Sequence, residues 1–236
     1  MSDSNGANER RHSKADEPDF IADADARARA EAANGLRQFD AGKSAAQEAL
    51  DQMASGDYRF RLCPSLIMKL HREALQGVNR LAGTYRPGAV SITKSKHTPP
   101  AAFLVPELVE EMCDYVNENW VSQSALHLSA YVMWRLNWIH PFDDGNGRTS
   151  RISSYVVLMI RSGFILPGTP SIPDQIVSDR SGYFRALDTA DAACRDGRVD
   201  ISAMKELLGN MLAKQLAGFY RSAGGESPSG FDLNSM

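Results

Sequence analysis

The sequence predicts an all-α fold interrupted by one short β-hairpin, and three observations carry that prediction. Apolar residues recur at helical intervals along several long runs. Two of those runs open with a proline where a first helical turn tolerates it, at Pro64 and Pro106. Only the stretch from Tyr85 to Pro100 alternates apolar and polar side chains, around Val90 and Ile92, in the manner of a strand. At 236 residues the chain is long enough for one substantial core with appended elements.

Residues 1–20 are polar and charged with little to bury, and are expected to be disordered. Residues 21–60 are expected to hold N-terminal helices. Ile21 to Phe39 is alanine-rich with acids and bases interleaved, which reads as an exposed helix weakened at Gly35. Residues 61–221 make the main domain, beginning with helices at Pro64 to Val78 and Pro106 to Trp120 on either side of the hairpin. Ser124 to Ile139 is apolar and free of glycine and proline, so it reads as a mostly buried helix that ends at the His140–Pro141 step. Thr149 to Ile160 reads as a second apolar helix, closed by Ser162 and Gly163. Gln175 to Cys194 and Ile201 to Tyr220 close the bundle, and residues 222–236 read as a flexible tail.

Composition excludes more than it selects. A net charge of −3 gives no basic excess to suggest nucleic acid as a partner. Cys63, Cys113 and Cys194 show neither CxxC nor Cys/His spacing, and read as small core residues of a reducing compartment. No apolar run reaches membrane-spanning length and the first residues lack a signal peptide's apolar segment, so a cytoplasmic location with no membrane partner is expected.

The chemistry concentrates in His140 to Arg151, which reads HPFDDGNGRTSR. A histidine can take a proton near neutral pH, an aspartate can hold a hard cation, and arginines can neutralise phosphate oxygens. Gly145 to Arg148 should form the turn entering the second apolar helix, which aims backbone N–H groups and the positive end of the helix dipole at an anion. An EF-hand fails, because the residues eleven beyond Asp143 and Asp144 are Ser154 and Tyr155, where that loop needs a glutamate. Gly42-Lys43-Ser44 imitates the end of a P-loop, but Arg37 stands where the first glycine is required and no strand-like run precedes it.

At these residues the chain resembles the Fic family, whose signature HPFx(D/E)GNGRxxR it meets at every specified position. The resemblance implies a helical core with a β-hairpin flap over the active site, and transfer of AMP from ATP to a protein hydroxyl with release of pyrophosphate. It implies His140 as general base, Asp144 as Mg²⁺ ligand, and Asn146 with the backbone of Gly145 and Gly147 as a phosphate cradle. Arg148 would hold the terminal phosphates and Arg151 would complete the clamp, while Pro141 and Phe142 anchor the loop and Asp143 takes the free position. In the flap, Val90, Ser91 and Ile92 would hold a target segment by main-chain pairing, with Lys94, Lys96 and His97 near the far arm. The kit suits the reaction, since phosphoryl-type transfer is mostly positioning and charge neutralisation.

Many Fic proteins also carry an inhibitory helix, (S/T)xxxE(G/N), whose glutamate pairs with the second arginine of the signature. Ser44-Ala-Ala-Gln-Glu48-Ala49 supplies the serine and glutamate on one helix face, with alanine in the last place. The same residues also read as a plain helix start, with Ser44 as N-cap and Gln47 completing a capping box. Ser222 to Glu226 is a second near match. Trp120, Trp134 and Trp138 read as core, His71 as a surface or interhelical residue, and Tyr183 with Phe184 as an adenine wall on the family's pattern. Expected partners are a target protein with a Ser, Thr or Tyr hydroxyl, the chain itself in self-modification or a homo-oligomer, and an antitoxin chain. Rival readings stay open: a UMP or phosphocholine donor, AMP removal assisted by Glu48, a toxin silenced by an antitoxin's glutamate, and a nucleotide-responsive binding module.

Overall fold

The computed structural model of the chain describes residues 13–14, 21, 23–56 and 59–225. In chain order its elements are strand β1 (Ser13–Lys14), helices α1 (Ala24–Ala54) and α2 (Pro64–Leu75), strand β2 (Ser91–Ile92), and helices α3 (Val105–Glu118), α4 (Ala125–Ile139), α5 (Asn146–Ser162), α6 (Ile172–Ser178), α7 (Ser181–Arg195) and α8 (Ser202–Ser222). A 3-10 turn, Ala102–Leu104, leads into α3. The all-α prediction holds, and no helix among the described residues is long and apolar enough to cross a membrane.

The α4–α5 pair forms the centre of the molecule. Small hydroxyl residues face one another there. Ser129 Oγ and Ser154 Oγ lie 2.7 Å apart, and each also donates to the other's carbonyl oxygen, at 3.0 and 2.9 Å. Two buried polar side chains thus satisfy each other and let the helices approach closely. Around them Trp134, Leu128, Met133, Leu136, Ile139, Val156 and Val157 supply the buried apolar mass. Trp134 and Trp120 are core as expected, while Trp138 is partly buried and carries the Arg135 guanidinium 4.3 Å from its ring centroid. Ser124 caps α4 through the N–H of His127, and α4 stops at His140 because proline next in the chain disfavours a further right-handed helical residue.

Helix α1 departs from expectation. It runs unbroken for 31 residues from an Asp23 N-cap, through both Gly35 and the Gly42-Lys43-Ser44 stretch. Packing on α2 and α5 sustains it where propensity does not. A Cβ at Gly42 would lie 2.8 Å from Ile152 Cδ1, so the glycine of the P-loop imitation serves as the close crossing of α1 over α5. Buried Asn34 and Gln38 donate to the Gln76 and Leu70 carbonyls at 2.9 and 3.0 Å, fastening α1 to α2. Ser44 therefore lies in mid-helix and exposed, which removes its reading as an N-cap.

Two further expectations are corrected. The run from Gln175 to Cys194 is two helices, broken where Asp179 turns extended and accepts the Ser181 N–H at 2.9 Å. The stretch from Tyr85 to Pro100 does not fold back on itself as a hairpin. Strand β2 pairs antiparallel with β1 instead, in the register Ser13↔Ile92 and Lys14↔Ser91. After β2 the Ser95 N–H bonds to the Ile92 carbonyl and Lys94 takes a φ of 60°, which turns the chain away, and Pro99 with Pro100 can donate nothing to a ladder. Apart from β1, the expectation of disorder over residues 1–20 lies outside the described residues, as do Glu226 of the second near match and the tail beyond Gly225.

Candidate active site

His140 leaves the end of α4 in the left-handed conformation, φ 52° and ψ 58°. Its Nδ1–H donates to the Asn137 carbonyl at 3.2 Å, which leaves the acceptor lone pair of the neutral ring on Nε2. Burial pushes its pKa down to about 4, helped by the Arg86 and His97 charges, against the Asn137 bond and Asp144. A ring that stays neutral through physiological pH can accept a proton from a hydroxyl.

Beyond the loop, Gly145 caps α5 at φ 75°, where a Cβ would also meet Leu75 at 2.8 Å. Both the backbone conformation and the space therefore require glycine. The amides of Gly147 and Arg148 stand in the first turn of α5, which has no intrahelical acceptors for them. Arg148 lies between two carboxylates, its Nη2 3.3 Å from Asp144 Oδ2 and its Nη1 3.7 Å from Glu31 Oε2 on α1. Arg151 follows one turn later. Burial lowers its pKa and the Tyr183 hydroxyl hydrogen-bonds it, so its charge is met there by a neutral group. The Tyr183 hydroxyl also accepts from Asn137 Nδ2 at 2.8 Å. His140, Arg148 and Arg151 line one cavity of about 970 Å³ together with Ile92 of β2, Tyr183 and Phe184.

Most of the residues expected at the site converge on this cavity, but some take other roles. Asn146 lines it, yet its Oδ1 accepts from the Phe142 N–H at 2.9 Å and its Nδ2 donates to the Phe142 carbonyl at 2.8 Å. The amide thus closes the loop on itself, and a phosphate cradle there falls to main-chain N–H groups. Asp143 turns inward to Asn79 Nδ2 at 2.9 Å, while Asp144 lines the cavity. Of the flap residues Ile92 lines the cavity and Ser91 is exposed; Val90 is half-buried and off the wall. Glu48 is exposed and does not line the cavity, whereas α1 meets the first of the two arginines, Arg148, through a different carboxylate, that of Glu31. The pattern that singled out Glu48 misses Glu31 because Arg27 stands four residues before it and Ala32 directly after.

Two supporting residues also escaped the sequence. His71 is fully buried, stacked on Phe142 at 3.7 Å between centroids and 5° between planes. Its Nδ1 accepts the Gly83 N–H at 2.9 Å, so Nε2 carries the proton and donates to the Asp144 carbonyl at 3.0 Å. Arg86, 3% exposed, donates to the carbonyls of His140, Gly88 and Pro100 at 2.8, 2.8 and 2.5 Å. One guanidinium thereby ties both ends of the flap segment to the loop that begins at His140. A buried histidine or arginine inside an apolar run was the available signal.

No group of three or more His, Cys, Asp or Glu among the described residues could enclose a metal ion. Asp144 alone fits a Mg²⁺ that takes its other oxygens from water and a phosphate substrate, since that ion is commonly held by one or two carboxylates. Its Oδ1 already accepts the Gly145 N–H at 2.6 Å, which fixes the carboxylate at the loop's rim.

A histidine and two arginines gathered beside a helix N-terminus make this a helical protein with a phosphate-receptive cavity. Residues 61–158 match the model of the Fic/DOC family. The chain is 33% identical over 130 residues to protein adenylyltransferase fic-1 of Caenorhabditis briggsae, covering 53% of this chain and 23% of that protein. It is 34% identical over 133 residues to protein adenylyltransferase Fic of Nematostella vectensis, covering 53% of this chain and 28% of that one. The chain thus spans about a quarter of the length of these curated relatives. The fold is shared with a Fic domain containing signaling protein from Bacteroides thetaiotaomicron, at a TM-score of 0.69 and 20% identity over 88% of this chain and 78% of that one.

Proposed function

We propose that this chain is a protein adenylyltransferase, moving AMP from ATP to a hydroxyl side chain of a target protein, and that α1 restrains it through Glu31. The observation that carries the reading is the pairing of a buried neutral histidine with two arginines on one cavity wall. In this reading the target hydroxyl attacks the α-phosphorus while His140 Nε2 accepts its proton, and the P–O bond to the leaving pyrophosphate breaks. Arg148, Arg151 and the N-terminus of α5 neutralise the charge that builds on the departing oxygens. Mg²⁺ held by Asp144 and the phosphates would add to that neutralisation. Tyr183 and Phe184 supply the aromatic surface for the base.

Arg148 can bind a phosphate fully only when it leaves Glu31, so the carboxylate competes with the nucleotide for the same guanidinium. This intrachain contact favours internal restraint over a glutamate delivered by an antitoxin chain. The test incubates wild type, Glu31→Ala and Glu31→Ala/His140→Ala with Mg-ATP labelled on the α-phosphate, and follows label entering protein. Glu31→Ala should transfer about tenfold faster than wild type, the effect of roughly 1.4 kcal/mol at a partly buried ion pair. The double variant should remain folded and transfer nothing. Equal rates with and without His140 would overturn the assignment, and label arriving from UTP alone would shift it to another donor.

A further inference from the structure

Besides Arg148 and Arg151, the half-buried Arg180 lines the cavity, from the break between α6 and α7. The break puts it there. Asp179 is extended at φ −139° and ψ 111°, its carboxylate accepts the Ser181 N–H at 2.9 Å, and α7 starts directly after Arg180. Tyr183 and Phe184 in the first turn of α7 line the same wall, so the start of that helix faces the cavity. The charge of Arg180 also reaches Arg151. Burial is the main cause that lowers the Arg151 pKa, and among the neighbouring cations Arg180 weighs more than Arg148. Arg148 is opposed by the Glu31 and Asp144 carboxylates, and Arg27 on α1 is paired with Glu31 at 3.1 Å. Arg151 is met by the neutral Tyr183 hydroxyl. Like charges gathered around one space cost free energy that an anion of several charges relieves, and such costs cluster where ligands bind.

We propose that Arg180 binds the terminal phosphate of the nucleotide donor and thereby selects a triphosphate over a diphosphate. The proposal rests on the AMP-transfer reading above. Moving AMP does not by itself demand three phosphates, since a diphosphate donor would release phosphate where ATP releases pyrophosphate. Selection must therefore come from a group that meets the third phosphate and nothing nearer the nucleoside. A terminal phosphate carries close to two negative charges at neutral pH, by analogy with a phosphomonoester of second pKa about 6. Arg148, shared with two carboxylates, and Arg151, set deeper in the fold, approach it from α5. Arg180 approaches from α7, and its planar fork suits two phosphate oxygens at once.

The experiment titrates the full chain carrying Glu31→Ala calorimetrically with α,β-methylene-ATP, α,β-methylene-ADP and AMP in the presence of Mg²⁺, none of which can pass AMP on. The titrations are repeated with Arg180→Gln and Arg180→Lys added, and thermal melts establish that the three proteins are equally folded. Arg180→Gln should weaken the triphosphate about tenfold, the effect of one charge-assisted contact, and leave the diphosphate and AMP within about twofold. Arg180→Lys keeps the charge and should recover part of the loss. An unchanged triphosphate affinity in Arg180→Gln overturns the proposal, as does a loss of the same size for the diphosphate or for AMP. In those cases nucleotide still binds and the AMP-transfer reading stands. No binding of any of the three to the Glu31→Ala protein brings down both.

Discussion

Arg86 brings a positive charge beside His140 and yet is bonded through its side chain to main-chain carbonyls: those of His140, Gly88 and Pro100. Its own N–H donates to the Pro141 carbonyl at 2.9 Å. The planar fork fixes where the histidine leaves α4 relative to the flap, and its charge opposes protonation of the ring. These two effects can be separated. Arg86→Lys keeps the charge but loses the fork, so transfer should fall by about a hundredfold, the usual result of a misplacement near 1 Å, with the acid limb of the pH profile unmoved. Arg86→Gln should lose a similar factor and also shift that limb to higher pH, because less positive charge then faces His140. The remaining groups near the ring are His97 and Asp144, and neither changes in these variants. Measuring kcat/KM for transfer from pH 4 to 8 distinguishes the cases; identical limbs in Lys and Gln variants would remove any electrostatic part for Arg86.

Helix α1 carries Glu31, the carboxylate of the proposed restraint, and owes its position to the crossing at Gly42. Valine there would drive its side chain into Ile152 and Val156 and force α1 off α5, at a cost of about 1–3 kcal/mol. Because Glu31 rides on the same helix, Gly42→Val should raise transfer in the wild-type background and add nothing once Glu31 is alanine. A double-mutant cycle on transfer rate, with thermal melts alongside, checks both parts. The same helix marks how far the sequence could be read. α4 and α5 were legible because burial imposes a long apolar run and because the His140–Pro141 step and the Gly163 cap punctuate it. The signature between them converges on the cavity, since a short loop between two buried helices leaves its polar residues little choice of direction. α1 was not legible, as its alanines and charges read as a short exposed helix and its length comes from packing on α2 and α5. For the same reason the sequence pointed to Glu48 rather than Glu31: which carboxylate reaches Arg148 depends on where α1 crosses α5. The partner of β2 was equally hidden, because a two-residue strand carries almost no periodic signal and its mate lies far away in sequence.

At the scale of the whole molecule, the burial that prepares the site also makes the fold sensitive to acid. His71 and His140 both have their pKa pushed down to about 4 by burial, against an ordinary value of 6.5. Between those two values the unfolded chain binds a proton at each position and the folded chain does not, so stability falls as pH falls. The contribution is whole above pH 6.5 and is lost progressively until about pH 4. From pH 7 to pH 5 each histidine should remove about 2 kcal/mol, taking 1.36 kcal/mol per pH unit below 6.5. Asp191 acts in the opposite sense, since burial raises its pKa and its protonation is easier in the folded state despite the Trp134 indole N–H at 2.9 Å. Urea unfolding at pH 7 and pH 5 should therefore show a drop of a few kcal/mol. His71→Gln should lower stability at both pH values but cut the drop by about half, because an amide can still donate to the Asp144 carbonyl and does not titrate. A drop of unchanged size in that variant would mean that His71 does not stay neutral in the fold, and the tautomer assigned from the Gly83 and Asp144 bonds would be wrong. If the drop halves, the loop between α4 and α5 rests on a histidine whose neutrality is maintained by the same core that keeps His140, the proposed base, neutral, and acid would weaken both together.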